Sequence, residues 1–270
     1  MASVFQNFKL FYDVGDFTEL RDLWQRPKHL SSYNRLYAIR SGEATFTIDD
    51  QIIDLKPNCT YLFPSGRMTS YRFTQDASLD WVHFDARLYG NLNLFDYLNC
   101  PLNLPTPMDS LSRHLFKRLF DLQKNNFSEA PYETPAILQI LLAPFLARGE
   151  MSHEADALAR LSPVFEYIEK NLTIAPRTAE LAALLKLEQN YFIDLFSKTV
   201  GIPPAKFINK RRMEIASTFI MTGLPLTEVA QKLGYYDSPH FCRVFKKSQG
   251  LNPSQYKTQF DQELKGLSSS

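Results

Sequence analysis

The last hundred residues repeat themselves, and no other feature of the chain narrows the possible folds as much. Glu180-Leu181-Ala182, Leu185, Phe192, Phe196, Lys198, Gly201, Pro204 and Phe207 return as Glu228-Val229-Ala230, Leu233, Phe241, Phe245, Lys247, Gly250, Pro253 and Tyr256. The offset is 48 residues through the first part of the unit and 49 after it, so one residue has been added in between. Each copy predicts two short amphipathic helices. Leu181, Ala182 and Leu185 share one face, as do Val229, Ala230 and Leu233, and the small middle residue lets a crossing helix approach closely. A turn follows, marked in the second copy by Gly234. The next helix buries Phe192, Leu195, Phe196 and Thr199, or Phe241, Val244, Phe245 and Ser248. Gly201 and Gly250 stop it, and Pro204 and Pro253 open the next one.

Two helices crossing at a short turn, the second with a polar outer face, make a helix-turn-helix. One copy alone fits a plain αα-hairpin better than a helix-turn-helix, but two copies with matching stop signals reverse that preference. The segment from Pro203 to about Thr222 reads as one helix of about 18 residues, about 27 Å long. Successive major grooves on one face of B-DNA lie about 34 Å apart, so such a rod can set two recognition helices in neighbouring grooves. It carries Lys206, Lys210, Arg211 and Arg212, candidates for phosphate contact. The charge distribution agrees. Residues 1–160 hold 16 Lys and Arg against 19 Asp and Glu, whereas residues 161–270 hold 14 against 10.

The second copy, with Val229-Ala230, Leu233-Gly234-Tyr235, Asp237-Ser238, Phe241, Arg243, Phe245-Lys246-Lys247, Gly250, Pro253 and Tyr256, resembles the C-terminal signature of the AraC/XylS transcription regulators. The first copy departs from it. Lys186 stands opposite Gly234, and Asp194 stands opposite Arg243, where the family often carries Arg. The resemblance implies double-stranded DNA as partner, with both units entering adjacent major grooves, and RNA polymerase as a further partner. Positions opposite the buried aromatics are Asn190, Ile193, Asp194 and Ser197, then Pro239, Cys242, Arg243 and Lys246. Asn190, Asp194, Pro239, Cys242 and Arg243 are therefore the candidate base contacts. Arg243 can hold guanine O6 and N7 with two hydrogen bonds, with a phosphate or carboxylate contact as the alternative. Asn190 can pair with adenine, while Asp194 only accepts. Lys198, Lys246 and Lys247 are placed to neutralise phosphate.

Residues 1–100 have another texture. Ala44, Phe46 and Ile48 alternate with threonines, Asp49-Asp50 turns, and Ile53 and Leu55 alternate back. Arg35–Ile39, Thr60–Phe63, Ser70–Phe73 and Leu79–Asp85 are further strands. This predicts an antiparallel barrel or jelly roll. Ser41-Gly42-Glu43-Ala44, Pro64 and Trp81-Val82-His83-Phe84 resemble the cupin-like sensory domain of many AraC-type proteins. Only His29 and His83 precede the helices, without the H-x-H spacing of metal-holding cupins, so no metal, no cofactor and no enzyme is expected. The resemblance implies control at the barrel by a small-molecule effector or a partner, although some members of the family respond to no small molecule. Arg35 and Tyr37 share one strand face and Trp81 and His83 another, which makes these four the candidate pocket, or else a Trp core with satisfied polar neighbours.

Two helical stripes follow, Leu111, Leu115, Leu119 and Leu122, then Ile137, Leu138, Leu141, Leu142 and Phe145, with Asn125–Pro135 read as a loop between them. By resemblance the helices of residues 108–148 pair two subunits into a homodimer; otherwise they cover the barrel. Arg148–Leu161 reads as an exposed linker. The expected architecture is thus a β plus all-α chain, with a cupin-like domain over 1–150 and a DNA-binding domain over 161–265. Three cysteines far apart argue against a disulfide framework, and no apolar run reaches membrane-spanning length. No secretion signal is seen, so a cytoplasmic location is expected.

Overall fold

The computed structural model describes residues 8–20, 24–74, 76–90, 92–104, 107–125 and 127–259. Residues 260–265, the end of the expected DNA-binding segment, lie outside them. The chain divides into two units between Asp156 and Ala157.

The first unit is built from β1 (Lys9–Glu19), β2 (Trp24–Leu30), β3 (Asn34–Ser41), β4 (Ala44–Ile48), β5 (Gln51–Leu55), β6 (Thr60–Phe63), β7 (Met68–Phe73), β8 (Ser78–Leu88) and β9 (Leu92–Asn93). One sheet runs β1-β8-β3-β6 with β9 on β8, the other β2-β7-β4-β5, and every pairing is antiparallel. This is the antiparallel barrel that the alternation predicted, in the cupin-like arrangement that the resemblance implied. Alternate residues of each strand point inward, and the bulkiest of them are aromatic. Phe46 stacks on Phe63 at 3.6 Å, Tyr37 stands edge-on to both, and Tyr71 and Phe73 complete the core. The inner face of β8 supplies Leu79, Trp81 and His83. Its outer face, Asp80, Val82, Phe84, Ala86 and Leu88, is buried as well.

The helices α1 (Ser110–Asn125) and α2 (Ala130–Leu146) pack on each other and on β1. α1 buries Phe116, Leu119, Phe120 and Leu122, and α2 buries the stripe from Ile137 to Phe145. The expected loop at Asn125–Pro135 is shorter than anticipated. α2 already begins at Ala130, with Pro131 in its first turn, where a missing N–H is harmless. The exposed linker is also corrected. Glu150–Met151 (β11) pairs with Leu98–Asn99 (β10), and His153–Arg160 forms α3, with Ala155, Leu158 and Leu161 buried at helical spacing.

The second unit contains α4 (Ser162–Lys170), α5 (Thr178–Leu184), α6 (Gln189–Val200), α7 (Pro204–Met221), α8 (Leu226–Lys232) and α9 (Ser238–Gln249). The element boundaries carry the repeat: α8 starts 48 residues after α5, and α9 starts 49 after α6. Phe165 of α4, Phe196 of α6 and Phe207 of α7 meet pairwise at 5.5 to 5.7 Å. In the second copy Met213, Ala216 and Ile220 of α7 pack with Phe241 and Phe245, and Tyr256 closes on Phe245 at 5.4 Å. α7 is thus shared by both copies. Its first turn finishes one core and its body begins the next.

Candidate nucleic-acid interface

The two copies form their turns in the same way despite different residues. Gly234 takes φ 67°, and its counterpart Lys186 takes φ 53°, so the missing glycine does not change the path of the chain. One carboxylate then caps each second helix. Glu188 accepts from the amides of Asn190 and Tyr191, and Asp237 from that of His240. Gly201 and Gly250, both at φ 79°, close the far ends. α6 and α9 are therefore fixed at both ends and anchored along one side by Phe192 and Phe196, or Phe241 and Phe245.

Their other sides are open. Asn190, Asp194 and Lys198 are exposed on α6, and Pro239, Arg243, Lys246 and Lys247 on α9. Arg243 has no ion pair among the described residues. Two neighbours on these faces were not singled out from the sequence. Tyr191 lies three residues before Asp194, and His240 lies three before Arg243, and both are exposed. Helical spacing alone would have found them. Cys242 is a correction. It is half-buried against the α7–α9 core and presents less to the outside than its position suggested.

On the rod, Lys206 and Lys210 are exposed, but the two arginines beside them are not free for phosphate. Arg211, only 14% exposed in its side chain, grips Glu169 of α4 through Nε at 2.7 Å and Nη2 at 2.9 Å, and also pairs with Glu214. It joins α7 to α4. Arg212 is buried, donates to the Leu233 carbonyl at the end of α8, and lies 4.6 Å above the Tyr235 ring.

Sequence comparison finds the same two parts. Residues 181–259 match a helix-turn-helix domain, and residues 19–142 match the AraC-like ligand binding domain. The chain belongs to the AraC-type transcriptional regulators. It is 28% identical over 152 residues to the uncharacterised HTH-type transcriptional regulator YijO of Escherichia coli, covering 54% of each chain. It is 24% identical over 245 residues to the arabinose operon regulatory protein of Salmonella typhimurium, covering 86% of this chain and 85% of that one. The chain spans about half the length, or less, of several of the curated relatives it matches. Among solved structures, ToxT of Vibrio cholerae is similar over 93% of this chain and 98% of its own, with 14% identity and a TM-score of 0.40.

In this AraC-type regulator the four candidate pocket residues all line the inside of the barrel, but they are unequal. Tyr37 belongs to the aromatic core, and burial pushes its phenol well up. That is the bland alternative the sequence left open, and for Tyr37 it holds. Trp81 is half-buried, its indole donating to Thr18 Oγ1 at 2.8 Å. His83 lies under the Tyr33 ring at 3.9 Å. Arg35 is fully buried, donates to Thr69 Oγ1 at 3.1 Å and meets His29 Nε2 at 3.0 Å. His29, Tyr33 and Thr69 were not foreseen, because the turn before β3 and the register of β2 on β7 bring them there.

Burial, with Arg35 and Arg26 adding to it, holds the His83 imidazole down at about 4, against 6.5 in the open chain. Between those values the unfolded chain binds a proton that the folded chain refuses. The first unit should therefore lose stability as pH falls from 6.5 towards 4. In His83→Gln that part of the slope should vanish, as read from thermal melts of both proteins across the window. Parallel slopes would show that His83 is not its source.

Proposed function

We propose that this regulator binds duplex DNA sequence-specifically, laying α6 and α9 into adjacent major grooves, and that a small molecule or partner at the barrel controls it. The observation that carries this is the pair of helices with matching caps, anchored on one side and open on the other. α7, 18 residues and about 27 Å long, joins them. Arg243, exposed and unpaired among the described residues, reads a base. Asn190 and Asp194 read on the first helix, and Lys198, Lys206, Lys210, Lys246 and Lys247 meet phosphates. The charge on the two helices divides the work. α9 brings Arg243, Lys246 and Lys247, whereas α6 sets Asp194 beside Lys198, so the second unit supplies more of the affinity.

The same reading makes the protein a non-enzymatic cytoplasmic regulator that meets RNA polymerase, and a homodimer through α1 and α2. Leu111, Tyr132 and Ile140 stay exposed on these helices, at 57%, 80% and 51%, which suits a helical face awaiting a second copy. No helix among the described residues is long and apolar enough to cross a membrane.

Selection of bound sites from a random duplex pool tests the proposal, followed by titration of Arg243→Ala and Lys246→Ala on the selected site and on unrelated DNA. Arg243→Ala should weaken the selected site by about 1–3 kcal/mol and relax one position of it, while Lys246→Ala should weaken all sequences alike and lower the salt slope by about 1. Equal loss on every sequence would make Arg243 a phosphate contact, and no selected site at all would remove the DNA-reading function.

A further inference from the structure

The interior of the barrel holds a cation with no counter-charge. Arg35 is 1% exposed, and no carboxylate among the described residues pairs with it. Its two polar contacts are both neutral. Thr69 offers a hydroxyl, and His29 Nε2 must accept from Nη2, which leaves the His29 proton on Nδ1, 3.0 Å from the Pro27 carbonyl. Aromatic faces supply the remaining contacts: the guanidinium lies 5.3 Å from the Tyr33 ring centre and 5.7 Å from that of Phe46. Only two of a guanidinium's five or so N–H donors are thereby used.

A second guanidinium stands near the first. Arg26 is the cross-strand partner of Tyr71, and both arginines help to hold the His83 imidazole below its ordinary value. Tyr71 belongs to the barrel core, whereas Thr45, Thr47 and Arg72 point away from it and line, with Arg26 and Lys28, a cleft of about 710 Å³ along the outer side of β2, β4 and β7 that Arg35 does not reach. Lys28 is paired with Asp50 at 2.7 Å, whereas Arg26 and Arg72 have no carboxylate among the described residues. A buried ion without a partner is costly, and a single opposite charge beside it offsets that cost. Arginine's planar fork fits a carboxylate with two parallel hydrogen bonds.

We propose that the effector of this barrel is a small carboxylate, its acid group taken by Arg35 and its approach steered by Arg26. This rests on the reading that the barrel takes an effector at all, and the experiment separates the two. The full chain and Arg35→Gln are melted with acetate, benzoate and succinate, with the matching amides at equal ionic strength, and with arabinose as a neutral sugar. Arg35→Gln keeps a donor but removes the charge. Without added ligand it should melt at the same temperature as the original protein or higher, because the cation it removes has no counter-charge. At least one acid should raise the melting temperature of the original protein, its amide should not, and Arg35→Gln should lose the shift and bind that acid at least about thirtyfold more weakly.

A lower melting temperature for Arg35→Gln without ligand would make Arg35 a structural cation and overturn the proposal. So would acids and amides acting alike, or no acid acting. Stabilisation by arabinose in both proteins, with the acids inert, would leave the effector reading standing and remove only the carboxylate.

Discussion

Gly234→Ala should destabilise the second unit by roughly 2–4 kcal/mol and abolish DNA binding with it. Two causes add. The residue sits at φ 67°, where a side chain is strained, and an added Cβ would lie 2.7 Å from the Thr173 carbonyl oxygen. That oxygen is backbone, in the segment between α4 and α5, so no side-chain rotation relieves the contact. Relief has to come from opening the turn that sets α9 against α8, and Leu233, whose carbonyl holds Arg212, is its immediate neighbour. Lys186 is the matched control. It holds the same backbone conformation at φ 53° with a side chain already in place, so Lys186→Gly should stabilise the first copy by about 0.5–1 kcal/mol. Chemical denaturation of both variants, with operator binding measured beside it, decides. If Gly234→Ala melts with the original protein, the close approach to Thr173 is not a constraint on the turn.

The repeat was legible because both of its signals are local. Helical spacing of apolar residues and glycines at the stops sit within each copy, and the extra residue falls in the turn. β3 to β8 were legible by alternation. β1 and β2 were not. β1 mixes Phe11 and Tyr12 on opposite faces and changes register between Tyr12 and Val14, and β2 contains Pro27 inside a register shift, which reads as a break. In the site, the exposed faces of α6 and α9 followed from periodicity, whereas the fates of the cations did not. Lys210 and Arg211 are neighbours of like charge, and Arg211 is the bound one because Glu214 on its own helix and Glu169, 42 residues earlier in the chain, both hold it. Arg35 could be placed on an inward face, but that its contacts are all uncharged depends on which strands lie opposite.

Arg40→Ala should cost the first unit about 3 kcal/mol, at the lower end for a broken buried pair because the arginine itself is 38% exposed. Arg40 falls in the register shift between Ile39 and Ser41, where the extra residue turns its side chain toward β8. There it donates through Nε and Nη2, each at 2.7 Å, to the two oxygens of Asp80, which is fully buried, and it lies 4.4 Å above the Phe17 ring. Burial raises the Asp80 carboxyl above its ordinary 3.8 even though Arg40 pulls it down. Without Arg40 it should rise further, and a carboxyl whose folded value is raised loses stability as pH rises, since the unfolded chain gives up its proton first. The deficit of Arg40→Ala should therefore be small in acid and grow toward neutrality. Replacing both residues with apolar ones, Arg40→Leu with Asp80→Leu, should recover most of the loss, because a pair removed whole leaves no buried charge behind. Equal losses in the single and double variants, or a deficit that does not change with pH, would mean that Arg40 serves the fold through its packing on Phe17 and not through Asp80.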